Sequence, residues 1–269
     1  MPKSIEELNE LTAQVTQSPK YAQLADSLIN RVSAEELERQ PSLSTAVKST
    51  RTRLHQLTTA FLPTNINYAL WLELFNSNQL LSEQASRDLA MRMMRLHAST
   101  AERLPVLEFF YRTSLASIAP LHSVVDLACG LNPLAIPWMP LADDFTYFAC
   151  DVVKPLVDFL QKFFNLRGIH GEAEICDLSQ SFPAQRADLT LLLKTLPLLT
   201  QMEKGLAEKV LAEIQSPHIL ISYPLKSLGG RAKGMQATYQ ASFEQLIAGK
   251  NFSVRKFEFS NEIAYLLSR

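Results

Sequence analysis

The chain has 269 residues with 26 Lys plus Arg against 27 Asp plus Glu, a formal net charge of −1. That balance excludes histone-like and acidic-tail chains while leaving room for local basic patches. A 47% hydrophobic and 20% charged composition excludes a disordered chain. No apolar run approaches the ~18 residues of a membrane span, and the densest, Leu189 to Leu199, is broken by Lys194 and Pro197. The N-terminal stretch MPKSIEELNE has no apolar core behind its lysine, so no secretory signal is expected and the chain reads as soluble and cytoplasmic.

Before residue 105 the pattern is helical. Ser4 with Glu7 three residues on has capping-box spacing, and Ser33-Ala-Glu-Glu repeats it. Apolar residues recur at three- and four-residue intervals around 20–32, 42–61, 65–75 and 82–97, with breaks at Pro19, Pro41 and Pro63. After residue 105 the period switches. Five short apolar runs begin at Ser123, Phe145, Ala173, Asp188 and His218, and helical stretches at 154–166, 200–215 and 235–248 separate several of them. Strands alternating with helices predict a parallel, doubly wound sheet. The tail differs: the runs from Phe252 and from Glu262 have no helix between them and predict a closing antiparallel hairpin. The expected organisation is therefore a helical domain over 1–104 and an α/β domain over 105–269. By analogy, a parallel sheet ending in an antiparallel hairpin is the Rossmann-like, seven-stranded class I S-adenosylmethionine methyltransferase fold. Cys129, Cys150 and Cys176 share no metal-ligand spacing, so no disulfide framework or metal site is expected, and each reads as a small buried hydrophobe.

In such sheets ligands bind beyond the carboxyl ends of the strands. The first strand runs into Asp126-Leu-Ala-Cys-Gly130-Leu-Asn-Pro133. The single glycine lets backbone approach a ligand, and Asp126 either fixes the loop or meets a positive ammonium group. The three glycines of a phosphate-binding loop are absent, which favours a cationic cofactor without phosphate. The second strand ends in Asp151, placed to accept ribose hydroxyls, and the third in Asp177-Leu178, placed for an adenine amino group and ring. One aspartate at a strand end is commonly a turn former. Three successive strands of this kind favour a cofactor rim.

Four blocks in order carry a resemblance: Leu96-His-Ala-Ser-Thr-Ala-Glu-Arg103, Val125-Asp-Leu-Ala-Cys-Gly-Leu-Asn-Pro, Lys194-Thr-Leu-Pro-Leu-Leu, and Tyr223-Pro-Leu-Lys-Ser-Leu-Gly-Gly-Arg-Ala-Lys-Gly-Met235. With Pro19-Lys-Tyr21 and Arg51-Thr-Arg-Leu-His55 they span nearly the whole chain. The sequence resembles the aminoglycoside-resistance 16S rRNA methyltransferases of the Arm/Rmt type, which methylate N7 of guanine 1405 in the decoding site. The resemblance implies S-adenosyl-L-methionine as cofactor and the 30S subunit as substrate, with no membrane and no obligate protein partner. It places Arg103 on the cofactor's methionine carboxylate, with His97, Ala98 and Ser99 lining that pocket. It further implies cofactor contacts from Phe61, Ala128, Gly130, Asp151, Asp177, Leu178 and Leu193. The family's glutamine near Gln201 or Met202 has no clean counterpart.

Two windows free of Asp and Glu, 39–72 and 214–243, hold the candidate RNA contacts other than Lys20. Lys20, Arg51 and Arg53 would form a patch on the helical part, and Lys226, Arg231 and Lys233 one on a glycine-rich loop. A guanine inside a helix must be flipped out for methylation, and its N7 lone pair needs no general base. Catalysis then reduces to orientation. Lys194, where amino-methylating enzymes usually carry an Asn/Asp-Pro-Pro-aromatic motif, either orients the pocket or caps the strand. The competing reading is a methyltransferase of small molecules or other RNA whose helical half is a lid.

Overall fold

The computed structural model describes residues 4–59, 66–77, 82–225 and 235–269. Phe61, Lys226, Arg231 and Lys233 lie outside the described residues.

Helix α1 (Ile5–Thr16) opens on the expected capping box: Glu7 N–H donates to Ser4 Oγ, and Ser4 N–H to the Glu7 carboxylate. After a one-turn α2 (Pro19–Ala22) come α3 (Asp26–Arg39) and α4 (Leu43–Leu54), the latter running into a π-helical turn, His55–Thr59. Ser33 does not start a helix. It lies buried in the middle of α3, because Val32 and Leu37 continue the apolar face through it. Leu11, Val15, Leu28, Ile29, Val32, Ala46 and Leu54 form a core of their own among these helices.

The chain continues through α5 (Tyr68–Ser77), α6 (Glu83–Met94), α7 (Ala98–Arg103) and α8 (Leu107–Leu115). Phe75, Leu89, Met93 and Met94 pack in one cluster with sheet residues such as Val124 and Leu191. The hydrophobic core therefore does not divide at residue 104. α1 to α4 make a separate lobe, while α5 and α6 already belong to the sheet's layers.

The sheet comprises β1 (Leu121–Leu127), β2 (Leu141–Asp151), β3 (Gly171–Ile175), β4 (Leu189–Leu193), β5 (His218–Pro224), β6 (Ser253–Glu258) and β7 (Glu262–Ser268). Its order is β3-β2-β1-β4-β5-β7-β6, with β7 antiparallel to β5 and to β6. β4 is buried at every position, as parallel strands covered on both faces must be. Helix α9 (Lys154–Arg167) follows β2. The stretch expected as a single helix over 200–215 is two, α10 (Leu196–Met202) and α11 (Leu206–Glu213), separated at Gly205, whose φ of +86° no ordinary helix residue adopts. Helix α12 spans Met235–Ile247.

The helical lobe is tied to the sheet through main chain. Leu24 and Val153 form an antiparallel bridge, Ala25 N–H donates to Val152 O at 2.7 Å and Lys154 N–H to Gln23 O at 2.8 Å. The lobe is thus anchored immediately after Asp151, at the sheet's carboxyl rim.

Candidate cofactor site

A cleft opens at that rim. Ala128, Asp151, Cys176, Asp177, Leu178, Leu193 and Lys194 line it from the sheet side, and Leu28, Leu57 and Thr58 from the helical lobe. His97 and Ser99 contribute from the start of α7, and Leu198, Leu199 and Met202 from α10. Among the candidate cofactor residues, the cleft gathers His97, Ser99, Ala128, Asp151, Asp177, Leu178 and Leu193.

Asp151 sits at the end of β2 with both oxygens engaged by backbone: Gly130 N–H donates to Oδ2 at 2.9 Å and Val153 N–H to Oδ1 at 3.1 Å. Burial pushes its carboxyl above the usual range, against the pull of those amides. Each oxygen keeps a lone pair, which suits paired hydroxyl donors. Gly130 itself has φ +53°, and a Cβ there would stand 2.6 Å from the His97 ring. Only glycine lets the β1 loop approach His97 this closely. His97 is buried, and burial, aided by the charges of Lys194 and Arg103, depresses its pKa to about 3. It is a neutral wall, not an acid catalyst.

Asp177, past the end of β3, accepts from Ser179 N–H at 3.0 Å and from the Ser179 hydroxyl at 2.6 Å, both on Oδ1. Its Oδ2 is buried without a hydrogen-bond partner. Lys194 adopts φ +60° at the end of β4. Its Nζ donates to Ser99 O at 3.1 Å and to Glu102 Oε2 at 2.6 Å, so it ties α7 to the sheet as well as lining the cleft.

Four described candidate cofactor residues do not line the cleft: Arg103, Asp126, Ala98 and Gly130. Arg103 forms the anticipated bidentate fork, but its carboxylate is Glu262 at the start of β7: Nε and Nη2 lie 3.0 and 2.6 Å from the two oxygens. Nη1 donates to Asn132 Oδ1 at 3.0 Å, the guanidinium stacks over Phe110, and the side chain is 1% exposed. It stands one layer behind Lys194, whose Nζ is 3.6 Å from Glu262. Asp126 likewise does not line the cleft. It is fully buried and accepts from Asn132 Nδ2 at 2.8 Å and the Tyr147 hydroxyl at 2.7 Å, so it fixes the loop. Ala98 opens α7 and Gly130 backs onto His97; neither forms the cleft lining. Of the two residues considered for the glutamine contact, Met202 lines the cleft and Gln201 is exposed.

On the helical lobe, Lys20, Lys48, Arg51 and His55 line one groove with Gln14 and Tyr21. Lys20 Nζ lies 2.9 Å from His55 Nδ1, and Arg51 Nη2 donates to Gln14 O. Arg53 does not join them. Its Nη1 pairs with Glu35 and Glu36 and its Nη2 donates to Met202 O, so this cation clamps the lobe to α10. Glu35 and Glu36 pair with Arg31 and Arg39 on their own helix and are reached from α4 by Arg53. The cysteines are free and buried, as expected, and Cys176 also faces the cleft. Among the described residues no group of His, Cys, Asp and Glu could hold a metal ion, and no helix is long and apolar enough to cross a membrane.

Comparison with known proteins agrees with the fold. The model of the family described as ribosomal RNA methyltransferase (FmrO) matches residues 17–266. A 16S rRNA (guanine(1405)-N(7))-methyltransferase of Micromonospora rosea is 35% identical over 265 residues, covering 97% of each chain. The enzyme of the same name from Serratia marcescens is 31% identical, covering 97% of this chain and 98% of its own. The crystal structure of the 16S rRNA methyltransferase RmtF with S-adenosyl-L-homocysteine superposes with a TM-score of 0.86 at 30% identity, covering 99% of this chain and 100% of that one. The chain belongs to the FmrO family of ribosomal RNA methyltransferases.

Proposed function

We propose that this chain transfers the methyl group of S-adenosyl-L-methionine to N7 of guanine 1405 in 16S rRNA. We take the assembled 30S subunit, in the cytoplasm, as its substrate and aminoglycoside resistance as the consequence. The observation that carries the reading is the cleft itself: Asp151 and Asp177 stand at the carboxyl ends of adjacent strands, beneath a lobe that carries a basic groove.

The residues present fit the cofactor. Asp177 Oδ2 is a buried acceptor still lacking a donor, and the Gly130 turn brings backbone to the rim where a side chain would collide. Asp151 would take the ribose hydroxyls, Asp177 with Leu178 the adenine, and Lys194 with Ser99 the methionine end, Arg103 supplying positive field from behind. The bound sulfonium supplies an already activated methyl. This chain's task is then to exclude water and hold the purine N7 in line with that methyl, which is catalysis by orientation. A buried, neutral His97 and an ion-paired Lys194 suit a site that moves no proton.

The lobe of α1 to α4 is the proposed rRNA-docking part, through Lys20, Lys48 and Arg51, with Lys226, Arg231 and Lys233 as further candidate contacts. Shape and backbone contacts dominate recognition of structured RNA. Expression in an aminoglycoside-sensitive bacterium, followed by cleavage at N7-methylguanine and primer extension on 16S rRNA, tests the proposal. A stop at guanine 1405 is expected. The Lys20→Glu/Lys48→Glu chain should lose that stop while binding S-adenosylhomocysteine normally in calorimetry. An unmodified guanine 1405 in cells making the folded wild-type chain would refute the assignment.

A further inference from the structure

Arg31 projects from α3 toward the seam between the lobe and the sheet. Its Nη1 donates to Glu35 at 2.9 Å, but Nε and Nη2 are buried without hydrogen-bond partners. Facing it is Asp177, whose unpartnered Oδ2 lies 3.8 Å from Arg31 Nε; the two side chains are 11% and 2% exposed. That separation is an ion-pair distance and too long for a hydrogen bond. Unsatisfied buried polar groups are destabilising, so two complementary ones left facing each other at a cleft wall are a site awaiting a third group.

The guanidinium is braced from behind. Glu35 lies between Arg31 and Arg53, and Arg53 donates to the carbonyl of Met202, itself a cleft residue. On the other side Ser179 fixes Oδ1 of Asp177 through two hydrogen bonds. One carboxylate oxygen is clamped from the sheet, and the other is faced from the lobe.

We propose that Arg31 is a positioning residue for the cofactor's purine: from the helical lobe it holds Asp177 Oδ2 in place as acceptor for a 6-amino group. Preference for a 6-aminopurine over a 6-oxopurine cofactor is then a joint property of lobe and sheet. This deepens the proposed function and rests on it.

The test is calorimetric titration of the full chain with S-adenosylhomocysteine and with its 6-oxo counterpart, S-inosylhomocysteine. The wild type is expected to favour the amino compound. Arg31→Met should reduce that preference at least tenfold, and Arg31→Lys should retain most of it. In an Asp177→Asn background Arg31→Met should change the ratio no further, the signature of action through Asp177. Equal weakening of both ligands, with the ratio preserved, would reduce Arg31 to a seam contact and overturn the proposal, as would a further fall in the double variant. Should thermal unfolding show that Arg31→Met does not fold, Arg31→Gln carries the same ratio test. A folded wild type that binds neither ligand would overturn the cofactor reading, and this inference with it.

Discussion

Asp126 and Glu262 are both fully buried carboxyls beneath the cleft, and their environments push them in opposite directions. Burial raises the Asp126 pKa to about 7, against hydrogen bonds from Asn132 and Tyr147 and the charge of Arg103. Burial acts on Glu262 too, but Arg103 and then Lys194 hold it below the usual carboxylate range. A raised folded-state pKa stabilises the fold fully below the unfolded value of about 3.9, and that contribution disappears as pH rises through about 7. Glu262 contributes above the unfolded value and is lost only in stronger acid. Asp126 alone therefore lowers the urea midpoint between pH 5 and pH 7.5, while His97, whose folded pKa is depressed to about 3, raises it up to its unfolded value of about 6.5. Asp126→Asn, which keeps the shape without the ionisation, should remove the fall and leave the rise. An unchanged pH dependence in the variant would show that Asp126 is not a source of it. At this scale the sequence was partly legible. Asp151 could be located because it closes the apolar run of β2, and Asp177 because it follows the end of β3 by two residues. The partner of Arg103 could not, since Glu262 lies 159 residues away and β7 reaches it only by the antiparallel return.

At the level of elements, the β1 loop shows how one backbone conformation organises a rim. Gly130 at φ +53° presents its N–H to Asp151 and lies against His97. Ala at this position meets a left-handed backbone penalty of ~1–2 kcal/mol and a contact of 2.6 Å with the His97 ring. Gly130→Ala should lower stability by at least that amount and weaken S-adenosylhomocysteine binding, read together by denaturant unfolding and calorimetry. Unchanged binding would show that the loop plays no part in holding the cofactor. The strands were legible because continuous apolar runs bounded by Asp and Gly have few other uses. Ser33 misled, because a Ser-x-x-Glu spacing marks a helix start only where the chain before it is not already helical. The neighbouring apolar residues decide that, and here they run through. The turn formed by His55–Thr59 also escaped a 3.6-residue reading, yet it carries Leu57 and Thr58 into the cleft.

For the whole molecule, a net charge of −1 hides an uneven distribution: the Lys20, Lys48 and Arg51 groove lies on the lobe, while Arg53 is neutralised inside the seam. Counterion release predicts a distinction. Replacing Lys20 or Lys48 by Ala should reduce the slope of log affinity for 30S subunits against log salt by about 0.7–0.9 each. Replacing Arg53 should leave the slope unchanged and lower the unfolding temperature. Equal slopes for all three variants would show that the groove does not meet phosphate. Composition could identify acid-free windows, but it could not separate a cation facing solvent from one folded inward against Glu35 and Glu36.

The join between lobe and sheet at Leu24 and Val153 combines main-chain hydrogen bonds with a Lys154–Asp26 ion pair and the buried Leu24 and Ala25 side chains. Every residue type except proline can furnish the Ala25 and Lys154 donors. The main-chain part of this junction therefore survives changes on the lobe's outer face, whereas the buried Leu24 and Ala25 must stay apolar. The catalytic rim keeps its roof while the surface of that roof is free to diversify.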